Sequence, residues 1–348
     1  YNLERVEILR GANALLFGRG GGGGVVNRVT KVAETSSDFT RLSAGIDTFS
    51  AGSTSIDTNK AIDANNAFRL NGVFDTIDSH RDFKDGERYA LNPTYTWIVS
   101  DDTMVVSSYE YVNDDRIVDR GVPSLNNAPL KGNRDTFFGD PDFNNTTLEA
   151  HIARIRVDHT LNQHWNINGT VQFADYDKAY QNLYPVNFND EATTVTLDGY
   201  RDTTGRENLL FQLNLIGQFL TGNLEHTVLT GFEYGNQDTH NARQDAFFAD
   251  SQDDQVTFAF TNPLIIPAMT LTDPVRDRAS EVTFASAFVQ DEIKLNDHWI
   301  IVAGLRYDNF DIDVKDVIEV ENGAEDGNNG FLSSSDSQVS PRAGVIYK

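Results

Sequence analysis

Cysteine is absent from this chain, which excludes a disulfide framework, thiol nucleophiles and thiolate metal sites. A thiol-free chain also suits passage through an oxidising compartment, where stray thiols would be lost. No run of about 18 apolar residues occurs, so a transmembrane helix is excluded. Positive charge is scarce as well: 28 Lys and Arg stand against 52 Asp and Glu, a formal net charge of −24. Phosphate backbones would be repelled by such a surface, which argues against nucleic acid as a partner. Catalytic constellations are missing too. The histidines at 80, 151, 159, 164, 226, 240 and 298 are scattered without HExxH or facial-triad spacing, and no GxSxG elbow exists. Nothing selects a working acid–base pair among the many carboxylates, so a soluble all-β hydrolase is disfavoured.

The mean hydropathy of −0.42 would suggest a soluble acidic protein. A membrane β-barrel gives the same average, because lipid-facing and lumen-facing residues alternate along each strand. Period-two alternation is what the chain shows from Phe39 onward. Trp165, Ile167, Gly169, Val171 and Phe173 share one face; Asn166, Asn168, Thr170 and Gln172 share the other. Leu209, Phe211, Leu213, Leu215 and Phe219 likewise oppose Gln212, Asn214 and Gln218. Trp299, Ile301, Ala303, Leu305 and Tyr307 oppose Arg306 and Asp308, and Phe68, Leu70 and Phe74 oppose Arg69, Asn71 and Asp75. Apolar stretches of about 9–11 residues are long enough to cross a bilayer when tilted.

The connections decide between sandwich and barrel. Short turns at Ser100-Asp101-Asp102, Asn162-Gln163-His164, Thr221-Gly222-Asn223 and Asn296-Asp297-His298 alternate with long polar insertions. These insertions run from Asn113 to Thr146, Asp177 to Thr204, Asn236 to Ser280 and Asp311 to Asp336. Short turns at one end and long loops at the other are expected of an outer-membrane barrel; a compact soluble domain rarely tolerates so many long loops. Leu161-Asn162-Gln163-His164-Trp165 recurs as Leu295-Asn296-Asp297-His298-Trp299, placing tryptophans in an interfacial girdle and leaving the histidines as polar turn residues. The spacing predicts roughly twelve antiparallel strands. The acidic stretch Glu319–Asp326, EVENGAED, reads as a surface loop, with calcium or lipopolysaccharide bridging as its rival reading.

The segment Leu3–Lys31, LERVEILRGANALLFGRGGGGGVVNRVTK, stands apart. Val6, Ile8, Val25 and Val29 suggest short strands around a turn-rich centre. Gly18, Gly20 and Gly23 satisfy GxGxxG only because glycines run consecutively, and no helix or Lys-Ser/Thr follows, so a nucleotide loop is disfavoured. Through Glu4-Arg5-Val6-Glu7, Leu9-Arg10-Gly11, Leu15-Leu16, Gly18-Arg19-Gly20, Gly23-Gly24-Val25-Val26-Asn27 and Val29-Thr30-Lys31, the segment resembles the end of the plug domain in TonB-dependent ferric-siderophore receptors. Gln290-Asp291-Glu292 to Arg306-Tyr307-Asp308 and Ser340-Pro341-Arg342-Ala343-Gly344 resemble barrel-strand motifs of the same family. Ala12 stands where a proline is usual, Gly21-Gly22 where Ser-Pro is common, and Phe17 replaces a frequent tyrosine.

The resemblance implies an all-β fold: a partial antiparallel transmembrane β-barrel, about 12 of an expected 22 strands, with a C-terminal remnant of the plug. It implies domains at 1–34 (plug) and 35–348 (barrel), with further sequence on both sides. The implied activity is transport, not catalysis: uptake of a ferric siderophore energised through TonB, in the outer membrane of a Gram-negative bacterium among lipid and lipopolysaccharide. The iron arrives wrapped in its siderophore, so neither cofactor nor protein metal ligands are expected. Phe17, Gly18 and Arg19 fall at the plug apex, where Arg19 would attract an anionic complex and Phe17 offer a stacking face. Glu4, Glu7 and Arg10 fall at positions whose ion pairs lock plug to barrel. Tyr176, Tyr180 and Tyr184 are further candidates for the upper pocket. Haem, cobalamin or glycan as cargo, or a passive barrel, are the alternatives.

Overall fold

The computed structural model describes residues 1–10, 24–322 and 329–348. Two strands, β1 (Leu3–Arg10) and β2 (Gly24–Thr30), form a small antiparallel sheet of their own. The large sheet is a meander. It contains β3 (Phe39–Ile46), β4 (Gly52–Ala61), β5 (Asn66–Ile77), β6 (Gly86–Ser100) and β7 (Thr103–Ile117). After a small hairpin, β8 (Ser124–Leu125) and β9 (Ala128–Pro129), come β10 (Asn145–Asn162), β11 (Trp165–Asn189), β12 (Thr194–Thr221) and β13 (Leu224–Phe248). Two short side strands, β14 (Gln255–Ala259) and β15 (Met269–Leu271), precede β16 (Arg276–Lys294), β17 (Trp299–Asp316), helix α1 (Val317–Asn322) and β18 (Phe331–Tyr347). Hydrogen-bonded order runs β18-β17-β16-β13-β12-β11-β10-β7-β6-β5-β4-β3. These are the twelve strands that the alternation predicts. Among the described residues β3 and β18 are open edges, so the sheet is a partial barrel.

Lateral register shows why this sequence makes a two-sided wall. Gly169, Leu213, Phe232, Ala287 and Tyr307 lie directly opposite one another across β11, β12, β13, β16 and β17. One residue away, Thr170, Gln212, Glu233, Ser286 and Asp308 form the adjacent row on the other face. The first row is apolar and points away from the small sheet; Leu213, Phe232 and Tyr307 are 37%, 42% and 47% exposed. Phe68, Tyr95, Trp97, Ile155, Phe173 and Leu305 continue this exposed band along other strands. A contiguous apolar surface of that extent requires a non-aqueous neighbour, and the hydrocarbon of a bilayer supplies it.

The short-turn end is built by the repeated pentapeptide. Asn162 Oδ1 accepts from the His164 N–H at 2.9 Å, and Asn296 Oδ1 accepts from the N–H groups of His298 and Trp299 at 2.9 and 3.0 Å. Such side-chain caps fix a tight turn, so asparagine, not histidine, is the operative residue. Each tryptophan then sits at the edge of the apolar band: Trp165 stacks on Phe219 at 6.1 Å, and Trp299 meets Tyr347 at 4.9 Å.

At the opposite end the insertions are far more ordered than the polar composition suggests. The segment from Asp177 to Thr204, read above as a loop, is the continuation of β11 and β12 around a turn at 190–193. Likewise β13 extends to Phe248, and β16 begins at Arg276. These extensions stand clear of the apolar band, so the lipid-dependent alternation fades while pairing continues. Leu183, Val195, Leu197, Ala246 and Phe248, all fully buried, form a core there with Leu130 and Phe138 from the β7–β10 connection. Arg81 pins that connection, pairing with Asp119 at 2.5 Å and donating to the Thr136 carbonyl at 3.0 Å.

Candidate ligand-binding site

The inward face begins with a contact network under the β1–β2 hairpin. Arg69, 2% exposed, holds Asp57 through two parallel bonds of 2.8 and 2.9 Å and donates to the Val32 carbonyl at 3.0 Å. Lys31 reaches the same Asp57 at 3.0 Å and Asn71 Oδ1 at 3.1 Å. Asn59 brackets Glu34, accepting from its N–H at 2.9 Å and donating to its carbonyl at 2.8 Å. Thr96 donates to the Ala33 carbonyl at 2.8 Å. The inward polar residues of β4, β5 and β6 thus grip the chain at 31–34, where it leaves β2.

Glu7 is held within the hairpin, by Arg5 at 2.7 Å and Asn27 Nδ2 at 2.8 Å. Glu4 lines the lumenal cavity between hairpin and wall. Arg10 makes no ion pair among the described residues. Glu4 adds its charge to the field on Arg69 of the wall, and the hydrogen-bonded contacts beneath the hairpin are made by Lys31, Asp57, Arg69 and Asn59, which the sequence reading did not single out. Their signal was present, since Arg69 and Asn71 alternate with Phe68 and Leu70. Phe17, Gly18 and Arg19 lie outside the described residues, as do residues 323–326 of the acidic Glu319–Asp326 stretch, whose first half, read above as a loop, belongs to helix α1.

Above the hairpin, β11 directs Tyr176, Tyr180 and Tyr184 inward, four residues apart on one face. Pairing of β11 with β12 brings in Tyr200, opposite Asn182. Its ring lies 6.0 Å from both Tyr180 and Tyr184. Two guanidinium groups cover the tyrosines: Arg243 at 3.9 Å over Tyr200 and Arg120 at 4.3 Å over Tyr184. Arg120 also donates to the Tyr200 hydroxyl at 3.4 Å. Arg243 is balanced by Asp245 at 2.9 Å, whereas Arg120 has no carboxylate partner among the described residues. Burial pushes the Tyr180 and Tyr184 hydroxyls above the ordinary tyrosine pKa, so both remain neutral donors at neutral pH.

A cluster of tilted and edge-on rings under two guanidinium groups suits a flat, anionic ligand, although Asp198 is bonded to the Tyr184 hydroxyl. Tyr200, Arg120 and Arg243 were not legible from sequence, because finding them requires the β11–β12 register. No group of three or more His, Asp or Glu among the described residues is arranged to hold a metal.

An inward-polar, outward-apolar meander with a hairpin docked on its inner face defines part of the wall of a membrane β-barrel. The chain belongs to the TonB dependent receptor-like β-barrel family, whose model matches residues 90–348. It is similar to the metal-pseudopaline receptor CntO of Pseudomonas aeruginosa, with 28% identity over 99% of this chain and 48% of the relative. The probable TonB-dependent siderophore receptor PiuA of Acinetobacter baumannii is 26% identical over 89% of this chain and 45% of its own length. The chain therefore spans about half the length of these curated relatives. Among solved structures, PiuA superimposes with a TM-score of 0.87 at 22% identity, covering 100% of this chain and 52% of that one. The Escherichia coli receptor Fiu, in its open form, gives 0.85 at 19%, covering 100% and 57%.

Proposed function

We propose that this chain forms part of an outer-membrane receptor that imports an anionic metal–siderophore chelate, ferric in the first instance, with energy delivered through TonB. In this reading residues 1–34 end the plug, and 35–348 supply barrel wall embedded in lipid and lipopolysaccharide. The vestibule of Tyr180, Tyr184 and Tyr200 under Arg120 and Arg243 makes first contact with the chelate. The plug apex, Phe17 to Arg19, meets it from below. Ligand binding favours a plug state that TonB can grip, and the hairpin network around Asp57 and Arg69 is the connection that must yield for passage.

One observation carries the reading: a chain of net charge −24 places a cluster of three tyrosines and two arginines together on the inward face of its extracellular end. The names of the relatives agree in kind, since Fiu is described as a catecholate siderophore receptor and CntO as a receptor for metal-pseudopaline. An iron(III) tris(catecholate) is both aromatic and multiply anionic, which suits this lining. In the full-length receptor, Arg120→Ala combined with Tyr184→Ala is expected to weaken binding of iron(III) tris(catecholate) at least about ten-fold, or roughly 1.4 kcal/mol. Equilibrium titration on outer-membrane vesicles measures this; unchanged affinity would remove the cluster from the site.

A further inference from the structure

We infer that Arg81, in the β5–β6 connection, sets the charge preference of the tyrosine cluster: it captures the Asp119 carboxylate and so leaves Arg120 free for an anion. The inference rests on the receptor reading above and adds to it a positioning residue that acts through its neighbours. Acids outnumber bases 52 to 28 in this chain, so an arginine kept for a ligand needs protection from the carboxylates beside it. The nearest along the chain is Asp119, one residue away.

Both oxygens of Asp119 are occupied. Oδ1 accepts from the Gly121 N–H at 2.8 Å, closing a side-chain turn with Arg120 at its middle. Gly121 has φ +90°, a conformation that glycine takes without strain. Oδ2 receives Arg81 Nε at 2.5 Å. The pair is shielded, with side chains 12% and 7% exposed, whereas Arg120 is exposed. Its guanidinium lies over Tyr184 and bonds the Tyr200 hydroxyl. The Arg120 cation and the Asp119 carboxylate both act on the Tyr180 hydroxyl, with opposite sign. The two charges therefore share one neighbourhood.

Removing Arg81 leaves a shielded carboxylate with one unpaired oxygen. A charge in that position seeks the nearest cation to offset its lost hydration, and Arg120 is next to it in the chain. The resulting charge-assisted bond would compete directly with the anionic oxygens of a ligand. The path of the backbone does not depend on Arg81. Asn144, 1% exposed, donates to the Val118 and Leu183 carbonyls at 3.2 and 2.8 Å and accepts from the Leu183 N–H at 2.8 Å. It thereby fixes the chain two residues before Arg120 and one before Tyr184. The Asp82 N–H bonds the Asp135 carbonyl at 2.9 Å, and Asn262 Nδ2 donates to Thr136 Oγ1 at 3.0 Å. Loss of the Arg81 side chain thus alters which charges pair while these ties persist.

The test is equilibrium titration of iron(III) tris(catecholate) onto outer-membrane vesicles carrying the full-length receptor. Arg81→Gln is expected to weaken binding at least about five-fold. Adding Asp119→Asn to that variant should return affinity to within about two-fold of wild type. The asparagine keeps an oxygen for the Gly121 N–H and brings no charge. In an Arg120→Ala background, Arg81→Gln should change affinity by less than about two-fold. Where Arg81→Gln fails to reach the outer membrane, Asp119→Asn alone decides: affinity within about two-fold of wild type, or tighter, supports the inference, and a greater loss overturns it. Unchanged binding in Arg81→Gln overturns it as well. So does a double variant as weak as Arg81→Gln, because the ion pair then holds structure and not charge. Each of these failures leaves wild-type binding, and the receptor reading, intact. If the wild-type receptor binds neither this probe nor any other anionic ferric chelate, the receptor reading itself fails.

Discussion

Arg69→Ala is expected to release the β1–β2 hairpin from the barrel wall. Arg69 is 2% exposed, and its guanidinium satisfies both oxygens of Asp57 while also holding the Val32 carbonyl. Truncation leaves a largely buried carboxylate with Lys31 as its close cation and removes a direct bond to the chain leaving β2. Breaking one side of a buried, hydrogen-bonded pair costs about 3–5 kcal/mol, because the remaining charge stays desolvated. Hydrogen exchange in the full-length receptor should show protection of Gly24–Thr30 falling by a corresponding factor, with strands β11–β13 unaffected. Native-like protection of β2 in the variant would mean that the hairpin is held elsewhere. Asp57→Asn should behave similarly. The double replacement should cost less than the sum of the two, since the two residues share one interaction.

Leu213→Arg has the second largest expected effect. Leu213 sits near the middle of the apolar stretch Leu209–Phe219, between Gly169 and Phe232 in its row. A guanidinium on the lipid face at mid-depth costs about 2–4 kcal/mol. Its neighbour Gln212 faces the lumen beside Glu233, 3.1 Å away, where a cation meets a partner; Gln212→Arg should therefore be tolerated. Folding titrations into lipid vesicles compare the two directly. Equal destabilisation by both substitutions would remove the distinction between faces.

Much of this architecture was legible because the bilayer imposes a simple rule on sequence. Where strands cross hydrocarbon, Trp165 to Phe173 or Leu209 to Phe219, every second residue must be apolar, and the pattern could be read by eye. The rule lapses beyond the band. Residues 177–204 contain Tyr, Asp, Asn and Thr without clean alternation, so a β-hairpin extension looked like a loop. Its pairing is held by backbone bonds and by the Leu183–Leu197–Phe248 core, whose parts come from distant stretches of chain. Site residues divide the same way. Tyr176, Tyr180 and Tyr184 share one strand and could be suspected from their spacing. Arg120, Tyr200 and Arg243 become neighbours only through register. Asp57 and Arg69 looked like ordinary inward polar residues until the chain at 31–34 was found resting on them.

Single-cysteine scanning from Leu209 to Leu215 tests the sidedness of the wall directly, since these 348 residues carry no native cysteine and any cysteine elsewhere in the receptor is first replaced by serine. Each introduced thiol is labelled with a fluorophore in the full-length receptor reconstituted in vesicles containing a lipid-attached quencher. Positions 209, 211, 213 and 215 should be quenched, and 210, 212 and 214 should not. Uniform quenching, or odd positions shielded from lipid by other protein, would contradict the membrane-facing assignment and the import function built on it.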